Sequence, residues 1–170
     1  KKNIYLWPDG ITSQIFFKKK KIPGREILKK IKNNISFENV YLINKKSDIN
    51  LTYIKEKFPK KKIYNIEASY GSIESIIKTI SGKVLKIKNK SLIIIALPTP
   101  KQELIAAYIS NVQENYKILC IGGALDFESQ KLKIPAFFNV YFESIWRLKF
   151  EPYRRLKRLL LSIFIILKRW

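Results

Sequence analysis

The sequence predicts an α/β fold, a Rossmann-like parallel sheet flanked by helices, with a basic helical appendage at the C-terminal end. Between residues 39 and 121, short β-branched runs alternate with segments of helical periodicity, which indicates a parallel sheet with right-handed crossovers. Residues 92–97 are continuously apolar, which is typical of a central strand covered on both faces. From Pro135 onward the alternation stops, so we predict an α/β domain at 1–134 and an appendage at 135–170.

Each element follows from the local pattern of apolar residues. β-Branched and aromatic runs predict strands, and apolar residues three or four positions apart, as at Ile73, Ile76 and Ile80, predict helices. Residues 82–90 fit either a helical extension or an edge strand. The predicted strands are 3–7, 39–43, 62–66, 92–97 and 117–121. The predicted helices are 11–17, 25–33, 51–58, 72–80, 100–112, 136–150 and 153–169.

Polar residues mark where two of these helices begin. Asp48 or Asn50 is the candidate N-cap of the helix predicted to start at Leu51. Thr99 can cap the helix that follows the central strand, and Pro100 is favourable at its first position because no backbone N–H is needed there. The sequence therefore places a helix N-terminus directly after its most apolar strand.

Composition limits the classes of chemistry. With 170 residues, of which 46% are hydrophobic, the chain can bury one core. The single Cys120 excludes an internal disulfide and is read as core packing, and the absence of His argues against a zinc site. Without His, proton transfer would fall to a carboxylate.

The net charge of +21 points to an anionic partner: phosphate, nucleic acid or an anionic membrane. Lysine is spread along the chain, whereas five of the six arginines lie in the last 24 residues. Arginine is the side chain suited to bidentate phosphate binding. The clustered arginines therefore indicate a specific phosphate-binding site more strongly than the scattered lysines do.

The C-terminal segment combines apolar residues at helical spacing with flanking basic residues and a terminal Trp170. Its apolar core, residues 159–167, is nine residues long, and a membrane-spanning helix needs about 20. A helix of this kind lies in a membrane interface or packs on the core of its own domain, and the sequence leaves both open.

The stretch at 93–103 is the candidate centre of a ligand site. It begins as an apolar strand and ends as the polar first turn of a helix, and open α/β sheets place their ligands where strands run into helix N-termini. The paired glycines Gly122-Gly123, which end the next strand, allow close backbone approach. Together they predict an anion or nucleotide pocket.

Several motifs in this order resemble one known family. They are Pro98-Thr99-Pro100-Lys101-Gln102-Glu103, Gly122-Gly123-Ala124-Leu125-Asp126-Phe127, Lys133-Ile134-Pro135, Glu143-Ser144-Ile145-Trp146-Arg147-Leu148 and Glu151-Pro152-Tyr153-Arg154-Arg155, preceded by Pro8-Asp9-Gly10 and Lys21-Ile22-Pro23-Gly24. This set is similar to the WecG/TagA/CpsF glycosyltransferase family (glycosyltransferase family 26). The resemblance spans essentially the whole chain, and several ordered motifs are more specific than any one of them.

The resemblance implies an enzyme of cell-surface polysaccharide synthesis. Such an enzyme transfers a sugar resembling N-acetylmannosamine from a UDP-sugar to an undecaprenyl-diphosphate-linked acceptor, inverts the anomeric centre, and needs no metal or other cofactor. It works as a peripheral protein on the cytoplasmic face of the bacterial inner membrane, whose anionic surface the C-terminal helix contacts. No nucleic-acid partner is expected, and homo-oligomerisation is left open.

The resemblance also implies a role for each candidate residue. Asp9 is the implied general base, which removes the proton from the acceptor hydroxyl. The implied nucleotide- and sugar-binding residues are Thr99, Lys101, Gln102, Glu103, Gly122, Gly123 and Asp126. The implied phosphate- and lipid-diphosphate-binding residues are Lys21, Arg147, Arg154, Arg155 and Arg158. The simpler alternatives are an Asp-Gly turn at position 9, helix capping at 102, 103 and 126, and a solvated basic surface for the cations.

Some positions depart from the family's pattern. Ala96 and Pro98 stand where the family usually has glycines, and Lys21 and Lys133 replace arginine, which keeps the charge but loses bidentate geometry. The family begins with a Thr-x-Asn strand that nothing here matches, so we expect this chain to lack that N-terminal segment. Two other functions therefore stay open: an inactive or divergent remnant that binds membrane surfaces, and a basic nucleic-acid-binding module.

Overall fold

The computed structural model describes residues 24–31, 36–68, 71–112 and 116–130, together with Pro152, Tyr153, Leu156 and Leu160. Contacts divide the chain into two compact units, Lys1–Lys131 and Leu132–Trp170. The strands are β1 (Asn39–Asn44), β2 (Lys62–Glu67), β3 (Ser91–Ala96) and β4 (Tyr116–Cys120). The helices are α1 (Gly24–Lys30), α2 (Asp48–Lys57), α3 (Ile73–Val84), α4 (Lys101–Val112) and α5 (Ala124–Ser129).

The strands form one parallel sheet in the order β2-β1-β3-β4. β1 pairs with β2 on one side and with β3 on the other, and β3 also pairs with β4. β2 is thus added on one side of β1. The chain then crosses back, and β3 and β4 are added on the other side. The parallel α/β fold is confirmed, and its topological switch point lies between the carboxyl ends of β1 and β3.

Alternate residues of each strand pack on opposite faces of the sheet. On one face, Tyr41, Ile43, Ile93 and Ile95 contact the apolar sides of α3 and α4. On the other face, Val40, Leu42 and Ile94 pack with residues of α1, α2 and α5. β1 is buried along its whole length and β3 along nearly all of it, which confirms that the apolar stretch at 92–97 is a central strand.

The start of α2 differs from the sequence-based prediction of Leu51. α2 begins at Asp48, and its N-cap is Ser47, whose Oγ accepts a hydrogen bond from the backbone N–H of Asn50 at 3.3 Å. The prediction of Asp48 or Asn50 as the cap is wrong, because Ser47 is extended while both later residues are already helical.

The ambiguous segment at 82–90 is a helical extension followed by a turn. α3 continues to Val84, and the backbone N–H groups of Leu85 and Ile87 donate to the carbonyls of Ser81 and Val84. Ile87 is buried in the same cluster as α3. Its apolar character therefore reflects packing against the core and not strand pairing.

The central position of β3 predicts that shortening one of its buried side chains lowers the stability of the fold. Ile94→Ala should lower the free energy of unfolding by about 2–5 kcal/mol, because it leaves a cavity in a fully buried strand. Ile49→Ala is the matched control, since Ile49 is 57% exposed, and it should change stability by less than about 0.5 kcal/mol. Urea unfolding measures both. Equal losses in the two variants would contradict the assignment of β3 as the core strand.

Candidate functional site

The candidate residues of two motifs meet at one edge of the sheet. β3 and β4 are parallel neighbours, and Ile95 pairs with Cys120 near their carboxyl ends. The turns that follow these strands, residues 97–100 and 121–123, therefore leave from the same edge. The candidates brought to this edge are Thr99, Lys101, Gln102, Glu103, Gly122, Gly123 and Asp126.

A side-chain hydrogen bond fastens the two turns together. Gln102 is 8% exposed, and its Oε1 accepts from the backbone N–H of Gly122 at 2.8 Å. Gly122 has a φ of +53°, a conformation that L side chains rarely adopt. A Cβ added there would lie 3.6 Å from the carbonyl oxygen of Leu97, which is an ordinary contact. The backbone conformation, more than a lack of space, therefore requires glycine.

The same amide also orders the first turn of α4. Gln102 Nε2 donates to Glu103 Oε1 at 2.8 Å and to Thr99 Oγ1 at 3.3 Å. The Thr99 hydroxyl in turn donates to Glu103 Oε1 at 3.0 Å. Because Gln102 is buried while Thr99 and Glu103 are exposed, Gln102 supports the turn and the two exposed side chains are the ones a ligand can reach.

Lys101 ties a third loop to this edge. Its Nζ donates to the backbone carbonyl of Gly71, just before the N-terminus of α3. Gly71 belongs to the connection that follows β2. The lysine thus joins two loops of the edge, in addition to the ligand-binding role predicted for it.

A partly buried polar network holds Asp126 in place. Asp126 Oδ1 accepts from Asn50 Nδ2 at 2.9 Å, and Asn50 Oδ1 accepts from Ser129 Oγ at 2.5 Å. Asn50 and Ser129 are 3% and 9% exposed, whereas Asp126 is exposed, so these bonds tie a surface carboxylate of α5 to a buried amide of α2. The N-cap of α5 is Gly123, so the capping alternative for Asp126 is wrong.

No local pattern in the sequence predicts this network. The sequence predicts Asn50 as a candidate helix cap because it lies in a polar stretch before an apolar helix. Its partners lie 76 and 79 positions away in the chain, and no local pattern joins them. The only local signal was a polar residue in the first turn of an otherwise apolar-faced helix.

The surroundings of Cys120, the last residue of β4, shift the pKa of its thiol. Burial, and secondarily the negative charge of Glu103, raise the pKa of its thiol to about 11. Its Sγ lies 3.8 Å from the carbonyl oxygen of Gln102. The thiol is therefore a packed, protonated group, in agreement with its prediction as a core residue.

Gly24 brings a further motif to the same edge. The residue is buried, and a Cβ added to it would lie 3.5 Å from Ala124 Cβ and 3.6 Å from the carbonyl oxygen of Ile121. The start of α1 therefore packs against the glycine-containing turn after β4. In the described part of the chain, no cluster of three or more His, Cys, Asp or Glu residues could hold a metal ion.

The other predicted site residues lie outside the described residues. They are Asp9, Lys21, Arg147, Arg154, Arg155 and Arg158. Their roles stay predictions.

Comparison with known families confirms the family that the motifs predict. A family model described as "Glycosyl transferase WecG/TagA/CpsF family" matches residues 6–170, a range that includes every candidate residue. Neither a search of curated proteins nor a search of solved structures finds a match.

The Asn50–Asp126 bond predicts a pH-dependent defect. Asn50→Asp should place two carboxylates together and lower the free energy of unfolding at pH 7 by roughly 1–3 kcal/mol. Like charges raise the pKa of one carboxyl in the folded state. Stability relative to the unmodified protein should therefore recover as the pH falls toward 4 and be lost as it rises.

Urea unfolding at pH 4 and pH 7 measures this defect. Asn89→Asp, at an exposed turn position, should have little effect at either pH. A deficit of the same size at both values for Asn50→Asp would contradict the proximity of residues 50 and 126.

The raised pKa of Cys120 predicts slow alkylation. A thiol with a pKa of about 11 in place of the ordinary 9.0 should react with iodoacetamide at pH 8 about a hundredfold more slowly than a free thiol, because the thiolate is the reacting form. The urea-unfolded chain should react at the ordinary rate. Glu103→Gln should lower the pKa and speed the reaction of the folded protein. Equal rates in folded and unfolded protein would refute the burial of this thiol.

Proposed function

Because the chain belongs to the WecG/TagA/CpsF glycosyltransferase family, we propose that it is an inverting, metal-independent transferase that takes a UDP-sugar as donor. The sugar is N-acetylmannosamine-like, and the acceptor is an undecaprenyl-diphosphate-linked sugar used in cell-surface polysaccharide synthesis. Residues 1–134 form the catalytic domain, and residues 135–170 form an appendage that associates with the membrane.

The bond from Gly122 N–H to Gln102 Oε1 is the observation that carries this proposal. It joins the Pro-Thr-Pro-Lys-Gln-Glu and Gly-Gly-Ala-Leu-Asp-Phe motifs, which lie 20 positions apart in the chain, at the carboxyl edge of a parallel sheet. Open α/β sheets bind nucleotides at this edge. Two motifs that together characterise a family thus form one surface where a nucleotide sugar is expected.

The exposed groups on this surface suit the hydroxyls of a nucleotide sugar. Glu103 and Asp126 are both exposed carboxylates, and carboxylates accept hydrogen bonds from ribose or sugar hydroxyls. A Cβ added to Gly123 would lie 3.9 Å from Asp126 Oδ2, so the carboxylate faces the glycine turn. A substrate that approaches the backbone of Gly123 would therefore meet Asp126.

The chemistry of transfer requires a base and a means of stabilising the leaving diphosphate. Asp9 is the proposed base, which takes the proton from the acceptor hydroxyl as the hydroxyl attacks the anomeric carbon and the bond to UDP breaks. Lys21, Arg147, Arg154, Arg155 and Arg158 are proposed to bind the diphosphates of donor and lipid acceptor.

Three apolar side chains of the second unit support membrane association. Tyr153, Leu156 and Leu160 are all helical and at least half exposed, at spacings that place them along one side of a helix. Basic residues stand between them in the sequence, a combination suited to the interface of an anionic bilayer. The described helices include none with the length and apolar character needed to cross a membrane. We propose peripheral attachment to the cytoplasmic face of the bacterial inner membrane.

Asp9→Asn tests the proposed chemistry. The substitution should lower the rate of sugar transfer by about 10²–10⁴-fold, since a general base contributes an effect of this size. UDP binding, measured by calorimetry, should be unchanged. Glu56→Gln, an exposed carboxylate on α2, is the control and should transfer at the normal rate.

Two outcomes would contradict the proposal. Transfer by Asp9→Asn at an undiminished rate would remove Asp9 as the base. A melting temperature raised by duplex DNA but not by UDP would favour the nucleic-acid-binding alternative over the transferase.

A further inference from the structure

Asn44 carries a buried side-chain amide at the switch point of the sheet. It is the last residue of β1 and pairs in register with Ala96, the last residue of β3. Its side chain is 1% exposed, and within the described part of the chain neither Nδ2 nor Oδ1 has a hydrogen-bond partner. A buried polar group without a partner costs stability, so its presence in a folded protein calls for an explanation.

The rest of this edge shows that the fold can satisfy buried amides. Gln102 and Asn50 are also buried, yet both atoms of each amide are hydrogen-bonded. The backbone carbonyl of Asn44 is likewise satisfied, because it accepts from the N–H of Ala68 at 2.8 Å. Among the described residues, the other buried side-chain atom without a partner is Oδ1 of Asn65 in β2, so Asn44 is the residue that leaves both atoms of a buried amide open.

The position of Asn44 suggests what fills this capacity. The crevice outside the carboxyl ends of the strands at a topological switch point is where open α/β sheets bind ligands, and β1 and β3 are the strands that flank it. In the pleat, Asn44 lies on the same face as Leu42, whose face packs with α2 and α5. These two helices carry Asn50 and Asp126.

We propose that Asn44 is a donor-substrate-binding residue, a role that rests on the proposed function. Its amide offers an NH2 donor group and a carbonyl acceptor side by side. A diphosphate offers only acceptors and would leave Oδ1 unpaired. The uracil edge and the sugar hydroxyls each offer both, so Asn44 recognises one of these neutral groups. Both amide atoms are shielded from solvent, so the ligand reaches them after a covering side chain moves.

Asn44→Leu tests this role, because leucine has a similar size and no polar atoms. The unliganded variant should melt at the same or a higher temperature than the unmodified protein, since the unpaired amide is gone. The Kd for the donor should rise about tenfold or more, as loss of a hydrogen-bonding pair predicts. Asn44→Ala should also weaken binding, and it excludes an effect of added bulk.

Calorimetry with UDP and with UDP-N-acetylmannosamine distinguishes whether Asn44 binds the nucleoside or the transferred sugar. If the variants bind UDP itself more weakly, Asn44 contacts the nucleoside. If they bind UDP normally and only UDP-N-acetylmannosamine more weakly, Asn44 contacts the transferred sugar. Asn39→Ala is the control, at the amino end of the same strand, and should leave both affinities unchanged.

The outcomes separate this inference from the proposed function. If the unmodified protein binds neither ligand, both are wrong. If it binds UDP and both Asn44 variants bind the two ligands as tightly, the proposed function stands and the role of Asn44 is refuted. A lower melting temperature for Asn44→Leu with unchanged affinities would make Asn44 a structural residue and would also refute it.

Discussion

The pairing of β1 with β3 is the constraint on which the candidate site depends. Because the chain crosses back over β1 after completing β2, these two strands become neighbours although a strand and two helices separate them in sequence. Parallel pairing brings their carboxyl ends, Asn44 and Ala96, to the same level. The pairing of β3 with β4 then adds the glycine turn at the same edge. No single motif makes this surface.

The sequence was informative wherever burial alone decides structure. β3 is apolar throughout because both of its faces are covered, and this pattern predicts a central strand without knowledge of its neighbours. It was misleading where three polar residues compete for one role. Ser47, Asp48 and Asn50 can each cap a helix; in the fold Ser47 is the cap, and the side chain of Asn50 binds Asp126 of α5 instead. That contact is made by residues far apart in the chain.

The candidate site, too, was only partly predictable from the sequence. The resemblance of the motifs indicated which residues form one site, but not what each side chain contacts. Gln102 was predicted as a substrate contact; in the fold it is buried and binds the backbone of Gly122. Glu103 and Asp126 are exposed, so a ligand can reach them, and their binding roles stay predictions. Which side chains face the ligand depends on burial across two turns, and burial is set by tertiary packing that one sequence does not display.

The charges of the described residues limit which groups this edge of the sheet can bind. Of the candidate residues that the structure describes, two are carboxylates, and the cation, Lys101, donates to the carbonyl of Gly71. Carboxylates suit hydroxyls and repel a diphosphate. Two lysines, Lys45 and Lys46, follow β1 directly. The exposed carboxylates of the edge favour a neutral, hydroxyl-bearing part of a ligand over a phosphate, and the phosphate-binding role of the arginines between 147 and 158 stays a prediction.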